Sequence, residues 1–377
     1  MEPSNRSMKL AYIYHPGRLQ RLNRALTGHA PTEFFYGAIE LAARGLDIRF
    51  LETDPATPVH WPCAAFNFLG QNAPVKLDGI LFQSTGNLLD RLNECDAVVG
   101  TTGGIAFALA VWRMLGRLRT PIVGIQTGLL VHRINFSRRY STAFLLRRMQ
   151  SVLFGEAELN LMHETFPGVK GYLHVNQFGV DTSFWTPGPA TKSGYVLAVG
   201  NDGRRDYSLL IEAAKRMSDP VLAVTARTLP SPLPPNVEHI RGAYAEGVSD
   251  EQLRDLYRGA GCVVVPLKET TQPSGQSVTL QAMACGRPVV LTETRGIWSR
   301  QTVRDGETLL LTSPGDVGGF VRAIESVMED KDLSEKLGAT AREAVIQNAT
   351  IQAFADRLLD VCSIVQKRRN QYVKKRK

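Results

Sequence analysis

The sequence predicts a two-domain α/β protein in which each domain is built on a doubly wound parallel sheet. Short runs of β-branched and aliphatic residues alternate with amphipathic segments from one end of the chain to the other. Most of the short runs are continuously apolar, as in strands that are buried on both faces of a parallel sheet. The length of 377 residues also exceeds what one hydrophobic core usually spans.

The predicted elements follow a strand–helix alternation. In the first half we predict a helix over 32–44 and strands over 9–14, 46–51, 96–100, 121–126, 158–162 and 171–175. In the second half we predict strands over 195–200, 221–225, 237–241, 262–267, 288–292 and 308–311. The helices of this half are predicted over 207–217, 250–260, 277–285, 317–328, 333–347 and 351–367. Such alternation is typical of a doubly wound sheet, here occurring twice.

A connector separates the two halves. Residues 185–194 contain two prolines and two glycines, which favours a linker over a helix or a strand. We therefore predict one Rossmann-like domain over 1–185 and a second over 186–350. Residues 351–377 are predicted to form a C-terminal helix that could pack back on the N-terminal domain, followed by a basic tail.

Composition narrows the functional class. The formal charge is +8, from 44 Lys and Arg against 36 Asp and Glu, but no recognised nucleic-acid-binding module accompanies it. Five cysteines without a CxxC pair favour a reduced compartment, and the first residues lack the apolar core of a signal peptide. No apolar run approaches the roughly 20 residues of a membrane span. We expect a cytoplasmic protein that binds no nucleic acid.

Several segments between 178 and 345 resemble one family in order and spacing. They are FGVDTSFWTP at 178–187, VLAVG at 196–200 with RRDYSLLIEA at 204–213, SGQSVTLQAMACGRPVV at 274–290, VRDGE at 303–307, PGD at 314–316 and LGATAR at 337–342. They resemble the GVDxxxFxP, VG…RKG…LIEA, E-x7-E and DGxxGxLxxPGD segments of the family-4 retaining glycosyltransferases. The first 170 residues match that family only in their fold pattern.

The resemblance implies a GT-B fold, with two Rossmann-like domains facing a central cleft. It further implies transfer of a sugar from a nucleotide diphosphate sugar, with UDP or GDP, to a hydroxyl acceptor with retention of configuration. No cofactor and no metal are expected, because arginines and helix dipoles can carry the phosphate charge. The alternatives are a GT-B enzyme of different donor or stereochemistry, and a catalytically inactive GT-B scaffold that binds a glycan or a partner.

The sequence departs from the family at three positions. The first glutamate of E-x7-E is replaced by Pro273 and the second by Gln281, and the usual arginine after the first glycine is Asn201. Glu269, in a loop that is three residues longer than usual, is one candidate for the role of the first glutamate.

The donor site is predicted at the carboxyl edge of the second sheet. Arg204 and Arg205 are the candidate catalytic residues, since guanidinium groups match phosphate oxygens and stabilise a departing diphosphate. The alternative for these arginines is a solvated pair beside Asp206. The alternative for the 273–277 segment is that it only caps an ordinary helix. The candidate donor-binding residues are Gly17, Gly200, Asn201, Gly242, Tyr244, Ser274, Gly275, Gln276, Ser277, Val278 and Gln281.

In this scheme, the helix N-terminus at 274–277 binds phosphate, Gln281 hydrogen-bonds the ribose, and Tyr244 stacks on the base or has a structural role. The candidate acceptor-binding residues lie in the first domain and are His15, Arg18, His29, Gln126 and Thr127. Gln126 would hydrogen-bond a sugar and cannot act as a base. For His15 and His29 a structural role is the alternative.

Residues 97–155 contain eight arginines and no acidic residue. Aromatic and aliphatic side chains are interleaved with these arginines, as in a helix that lies on an anionic membrane surface. We therefore predict a peripheral protein on the cytoplasmic face of the membrane, with a lipid-linked or surface-polysaccharide acceptor. A polyanionic acceptor, or simply solvated helix faces and a solubilising tail, are the alternatives.

Overall fold

The computed structural model describes residues 7–53, 87–126, 128–129, 136–188, 194–244 and 247–374. The chain divides into two compact units, neither of which is continuous in sequence. The first unit comprises Met1–Leu26, Phe35–Asn176 and Phe354–Lys377, and the second comprises Thr27–Phe34 and Gln177–Ala353. The second unit thus begins nine residues before the predicted boundary, and it also takes a short segment from the first half of the chain.

The first unit contains a parallel sheet. Its strands are β1 (Lys9–Tyr14), β2 (Asp47–Glu52), β3 (Ala97–Gly100), β4 (Ile122–Ile125), β5 (Gln150–Leu153) and β6 (Leu173–Val175). Within the described residues these six strands pair in the order β2-β1-β3-β4-β5-β6. The chain reverses its direction across the sheet between β1 and β3, as in a doubly wound domain.

Helices cover this sheet. They are α1 (Leu22–Leu26), α2 (Ala38–Ala43), α3 (Asn87–Asn93), α4 (Gly103–Met114), α5 (Phe136–Leu146) and α6 (Glu156–Thr165). Helix α4 is buried from Gly104 to Val111 and packs in the same core as Leu146 and Met162. Its buried apolar side chains explain why this helix lies centrally against the sheet.

The second unit repeats the architecture. Its strands are β7 (Val196–Val199), β8 (Val221–Val224), β9 (Val237–Ile240), β10 (Ala243–Tyr244), β11 (Gly247–Val248), β12 (Cys262–Val265), β13 (Val289–Thr292) and β14 (Leu310–Thr312). Among the described residues, six of them form a parallel sheet in the order β14-β13-β12-β7-β8-β9, and β10 pairs with β11. The chain reverses between β7 and β12.

The helices of the second unit are α7 (Tyr207–Ala214), α8 (Asp250–Gly259), α9 (Gln276–Ala284), α10 (Val317–Glu329) and α11 (Lys331–Asn348). The last helix, α12 (Ile351–Lys374), begins in the second unit and from Phe354 onward belongs to the first. The rings of Phe354 and Phe154 lie 6.1 Å apart, and Asn176 Nδ2 donates to the Phe354 carbonyl over 3.0 Å. The C-terminal helix therefore completes the core of the first unit.

Two predicted elements of the first half are wrong. The predicted strand at 158–162 is part of helix α6, whose first turn carries Glu156 and Glu158 and is thereby stabilised by the helix dipole. The strand in this region is β5, just before it. The predicted helix over 32–44 is interrupted because Tyr36 and Gly37 have positive φ angles of 53° and 79°.

Among the residues that the structure describes, no helix combines the length and the apolar character that crossing a membrane requires.

Candidate phosphate-binding site

The reversal between β7 and β12 creates a crevice at the carboxyl edge of the second sheet. In doubly wound sheets, ligands bind at this point, outside the carboxyl ends of the two strands. The segment after β7 and the segment after β12 are joined there by backbone hydrogen bonds. Asp206 N donates to the Pro266 carbonyl over 2.9 Å, and Lys268 N donates to the Arg204 carbonyl over 2.9 Å.

Arg205 occupies this crevice. Its side chain is only 5% exposed, and among the described residues its Nε and Nη1 atoms have no hydrogen-bond partner. Burial lowers the pKa of the guanidinium, against smaller raising effects of Tyr207, Asp202 and Tyr257. A buried cation without a partner is costly unless an anion binds it.

Two glycines make room for the guanidinium. A Cβ atom at Gly200 would lie 2.3 Å from Arg205 Nε, and one at Gly275 would lie 3.0 Å from Nη1. Gly200 directly follows β7, and Gly275 is the N-cap residue of helix α9, with a φ of 79°. The guanidinium therefore lies between the end of a strand and the N-terminus of a helix. The free N–H groups and partial positive charge of that terminus add to the charge of Arg205, an arrangement that suits phosphate.

Polar contacts fix the surrounding loops. Ser274 Oγ donates to Asp202 Oδ2 over 2.5 Å. Asn201 Oδ1 accepts from Ala226 N over 2.6 Å and from Thr225 Oγ1 over 3.1 Å. The Gln276 side chain is buried, and among the described residues its Nε2 has no partner. Asn201 therefore orders the loops after β7 and β8, while Gln276 keeps a donor available beside the helix N-terminus.

The other predicted donor-site residues are placed as follows. Arg204 and Ser277 are half-buried, Val278 is buried and Gly242 is buried. For Tyr244 the structure describes the backbone in β10, so its predicted stacking on a base stays a prediction. Glu269 accepts from Arg295 N and Nε over 3.2 and 3.1 Å.

Gln281 lies away from solvent inside the second unit. It is fully buried, its Nε2 donates to Glu33 Oε1 over 3.0 Å, and its Oε1 accepts from the Tyr257 hydroxyl over 3.2 Å. Because both ends of the amide already bond protein groups, the ribose contact predicted for Gln281 would require these bonds to rearrange. Glu33 itself was missed from the sequence, since nothing in TEFFY at 32–36 distinguishes it from a surface acid.

In the first unit, three predicted site residues follow β1, beside the reversal between β1 and β3. His15 follows β1 and is exposed, and its Nε2 lies 3.2 Å from Oγ1 of Thr102, the N-cap residue of α4. Gly17 has a φ of 89° and open space around it, and Arg18 is half-buried. Thr102 was not predicted, although its position before an apolar helix is a recognisable capping signal.

Gln126 follows β4 and is fully buried; among the described residues its Oε1 has no partner. Thr127 lies outside the described residues. The next part of this loop is tied to helix α6, because Leu129 N donates to Glu158 Oε1 over 3.1 Å. Burial raises the pKa of Glu158 to about 7.

His29, predicted in the first domain, belongs instead to the second unit, since it lies within the segment Thr27–Phe34. Its Nδ1 lies 3.4 Å from Glu251 Oε1 at the surface. The division of the chain therefore does not place His29 in the domain that was predicted to bind the acceptor, and its acceptor role stays a prediction. Within the described residues, no group of three or more His, Cys, Asp or Glu side chains is arranged to hold a metal ion.

Comparison with known proteins agrees with this geometry. Residues 194–330 match the family model described as "Glycosyl transferases group 1". This stretch contains β7, β12, Arg205 and the N-terminus of α9, so the matched domain includes the candidate phosphate-binding site.

Curated relatives match over parts of the chain. The lipopolysaccharide core biosynthesis glycosyltransferase LpsE of Rhizobium meliloti is 33% identical over 98 residues, which cover 26% of this chain and 28% of that protein. The D-inositol 3-phosphate glycosyltransferase of Geodermatophilus obscurus is 32% identical over 193 residues, covering 44% of this chain and 41% of that protein. The matches thus span less than half the length of these two relatives.

Solved structures match over nearly the whole chain. A glycosyltransferase from Rickettsia africae has a TM-score of 0.67 at 12% identity, covering 96% of this chain and 99% of that one. HepE from Anabaena, in complex with UDP and glucose, has a TM-score of 0.66 at 16% identity, covering 94% and 99%. The predicted fold class is confirmed: the chain has a GT-B fold of two Rossmann-like units, and residues 194–330 of the second unit match the group 1 glycosyl transferase model.

Proposed function

We propose that the protein is a glycosyltransferase that moves a sugar from a nucleoside diphosphate sugar to a hydroxyl group, with retention of configuration. The observation that carries the proposal is the buried guanidinium of Arg205, which lies beside the N-terminus of α9 and whose Nε and Nη1 have no hydrogen-bond partner among the described residues. The complex of HepE with UDP and glucose supports a uridine nucleotide as the first donor to test. Retention follows from the resemblance of the sequence motifs.

The charge arrangement suits the chemistry of the donor. Negative charge builds up on the diphosphate as the bond to the sugar breaks, and preorganised positive charge lowers the barrier to that step. Arg205 and the N–H groups at the start of α9 supply such charge in a buried position, where it is worth more than in water. In this scheme the departing phosphate oxygen takes the proton of the acceptor hydroxyl, so no protein base is needed.

Nucleotide binding tests the donor site. We expect UDP, GDP or ADP to raise the melting temperature of the protein, since a ligand at 100 times its Kd stabilises by about 2.7 kcal/mol. Arg205→Gln should remove this shift. The matched control is Arg216→Gln, because Arg216 is exposed just beyond the far end of α7. If the Arg205→Gln variant binds nucleotide as tightly as the Arg216→Gln variant, Arg205 is not part of the nucleotide-binding site.

Turnover separates an enzyme from an inactive scaffold. With the nucleotide sugar that binds, Arg205→Ala should lower the rate of transfer or donor hydrolysis by about 10²–10³-fold, as for the loss of one charge-stabilising donor. The anomeric configuration of the product, followed by NMR, tests retention. Tight nucleotide binding without any transfer or hydrolysis would favour the scaffold.

We also propose that the acceptor is carried by an anionic membrane. On helix α5, Phe136, Tyr140 and Phe144 are 74%, 63% and 44% exposed and recur every four residues, so they share one face. Arg139 on the same helix is exposed, and the surrounding residues 97–155 contain no acid. Aromatic side chains with arginines suit the headgroup region of anionic lipids.

Two arginines that follow helix α5 already contact other groups of the protein. Arg147 Nε donates to the Gly168 carbonyl over 3.3 Å, and the Arg148 guanidinium stacks 3.5 Å from the centre of the Phe144 ring. The test therefore changes the exposed aromatic residues of α5. Phe136→Ser together with Tyr140→Ser should weaken cosedimentation with anionic liposomes by at least about tenfold. Ile346→Ser, which changes an exposed apolar residue of the second unit, is the control. Equal binding to neutral vesicles, or none to either, would contradict the membrane proposal.

A further inference from the structure

Glu33 lies at the end of the short segment that the first half of the chain contributes to the second unit. Its carboxylate is fully buried and accepts three N–H groups: Trp185 Nε1 over 2.7 Å and Gln281 Nε2 over 3.0 Å at Oε1, and Asp181 N over 3.1 Å at Oε2. The segment is also held by Thr32, whose N and Oγ1 both donate to Asp181 Oδ2.

Glu33 determines which way the Gln281 amide points. The amide nitrogen must face the carboxylate, because the opposite orientation would set its oxygen against the Glu33 oxygens. The Gln281 oxygen is therefore turned toward Tyr257, whose hydroxyl donates to it over 3.2 Å. As a result, the proton of the Tyr257 hydroxyl is directed to Gln281.

Tyr257 connects this network to the phosphate-binding site. The side chain is fully buried on α8, and it lies close enough to Arg205 to interact electrostatically with the guanidinium. Gln281 also lies on α9, and a Cβ at Gly275, the N-cap residue of that helix, would lie against Arg205 Nη1, so the bonds of Gln281 hold the helix that borders the guanidinium. Hydrogen bonds thus connect Glu33 through Gln281 to Tyr257, and an electrostatic interaction connects Tyr257 with Arg205, all within the second unit.

We propose that Glu33 is a positioning residue of the phosphate-binding site, acting through Gln281 and Tyr257 on Arg205. The proposal rests on the proposed function, since it concerns how tightly Arg205 holds the donor diphosphate. Packing alone does not call for this residue, since replacing a buried ionic group by an apolar side chain of similar size is often neutral or stabilising. Its three donors instead give the Gln281 amide one orientation.

Calorimetric titration of the full chain with UDP, and with pyrophosphate as a second probe, tests the network. Glu33→Leu removes the acceptor for Gln281 and should weaken UDP binding about tenfold, the size expected for one lost polar coupling. Tyr257→Phe should have the same effect, and the double variant should be no weaker than either single one. Glu33→Gln keeps an oxygen that can accept from Gln281, so it should bind UDP nearly as the unchanged protein does.

A matched control is a second tyrosine whose hydroxyl bonds helix α8. The Tyr195 hydroxyl donates to the Leu256 carbonyl of α8 over 2.8 Å, but Tyr195 precedes β7 and so lies at the opposite edge of the sheet from Arg205. Tyr195→Phe should therefore leave the affinity for UDP unchanged. Melting temperatures of all variants separate lost binding from lost folding.

The outcomes distinguish this inference from the proposed function. If Arg205→Gln abolishes binding while Glu33→Leu and Tyr257→Phe bind UDP normally, Arg205 holds the diphosphate and the positioning role of Glu33 is wrong. Independent, multiplying losses in the double variant would also overturn the connection between the two residues. If the unchanged protein binds neither a nucleotide nor pyrophosphate, the proposed function fails and the inference falls with it.

Discussion

The buried carboxyl of Glu33 should make the stability of the second unit depend on pH. Burial is the largest cause that raises its pKa, from the ordinary value of 4.5 to about 7, with a smaller raising effect from Asp181. The hydrogen bonds from Gln281 and Trp185 lower the pKa but do not offset the burial. Between pH 4.5 and about pH 7, Glu33 of the folded protein keeps a proton that the unfolded chain has released.

The sign of the effect follows from this difference in proton binding. The stability associated with protonated Glu33 is fully present below pH 4.5, falls as the pH rises toward 7, and is lost above that. A pKa difference of about 2.5 corresponds to about 3 kcal/mol of unfolding free energy. Glu33→Gln cannot titrate, so this slope should be absent from the variant.

Urea unfolding followed by tryptophan fluorescence measures the effect, because Trp185 contacts Glu33 directly. The difference in unfolding free energy between the unchanged protein and Glu33→Gln should change by about 3 kcal/mol between pH 4.5 and pH 8. The amide nitrogen of the variant would face Asp181 N, which adds a constant offset but no slope. Glu158→Gln removes the carboxyl of the first unit whose pKa is also raised to about 7, so it should remove a similar slope there and leave the slope due to Glu33 in place. Parallel pH profiles of the unchanged protein and Glu33→Gln would refute the reasoning.

Two further substitutions test the packing around the site. Gly275→Ala should lower stability by more than about 1 kcal/mol and weaken UDP binding, because the residue has positive φ and its Cβ would press on Arg205. Gly306→Ala has a similar φ with open space around it, so it shows the backbone cost alone. If thermal denaturation shows equal losses of stability in the two variants, the contact with Arg205 is contradicted. Gln281→Glu should destabilise the protein increasingly as the pH rises, because it sets a second carboxyl against Glu33, and a pH-independent melting temperature difference would show that the two side chains are apart.

The continuous apolar strands of the second half were predictable because burial on both faces leaves a clear pattern in the sequence. The predicted strands at 221–225 and 262–267 agree with β8 and β12 to within two residues. Arg205 was predicted as a site residue from its place between β7 and α7, and its role stays a prediction. Its burial could not be foreseen, because it depends on two glycines that are 75 residues apart.

The errors arose where the sequence pattern was short or ambiguous. The alternation in Glu158-Leu-Asn-Leu-Met162 suggested a strand, but the two acidic residues that open helix α6 and the capping Gly155 were the stronger signals. The role of Glu33 could not be predicted, because its partners are 148 or more residues away in the sequence.

The discontinuous division of the chain determines how the protein can be dissected. Residues 1–176 expressed by themselves would lack the part of α12 that supplies Phe354, and Arg357 Nε would no longer donate to Asn176 Oδ1. Residues 177–353 would lack Glu33 and leave the Trp185 indole N–H without its acceptor. These two fragments are therefore expected to aggregate, whereas residues 1–176 should regain their missing surface when 354–374 is supplied as a separate peptide.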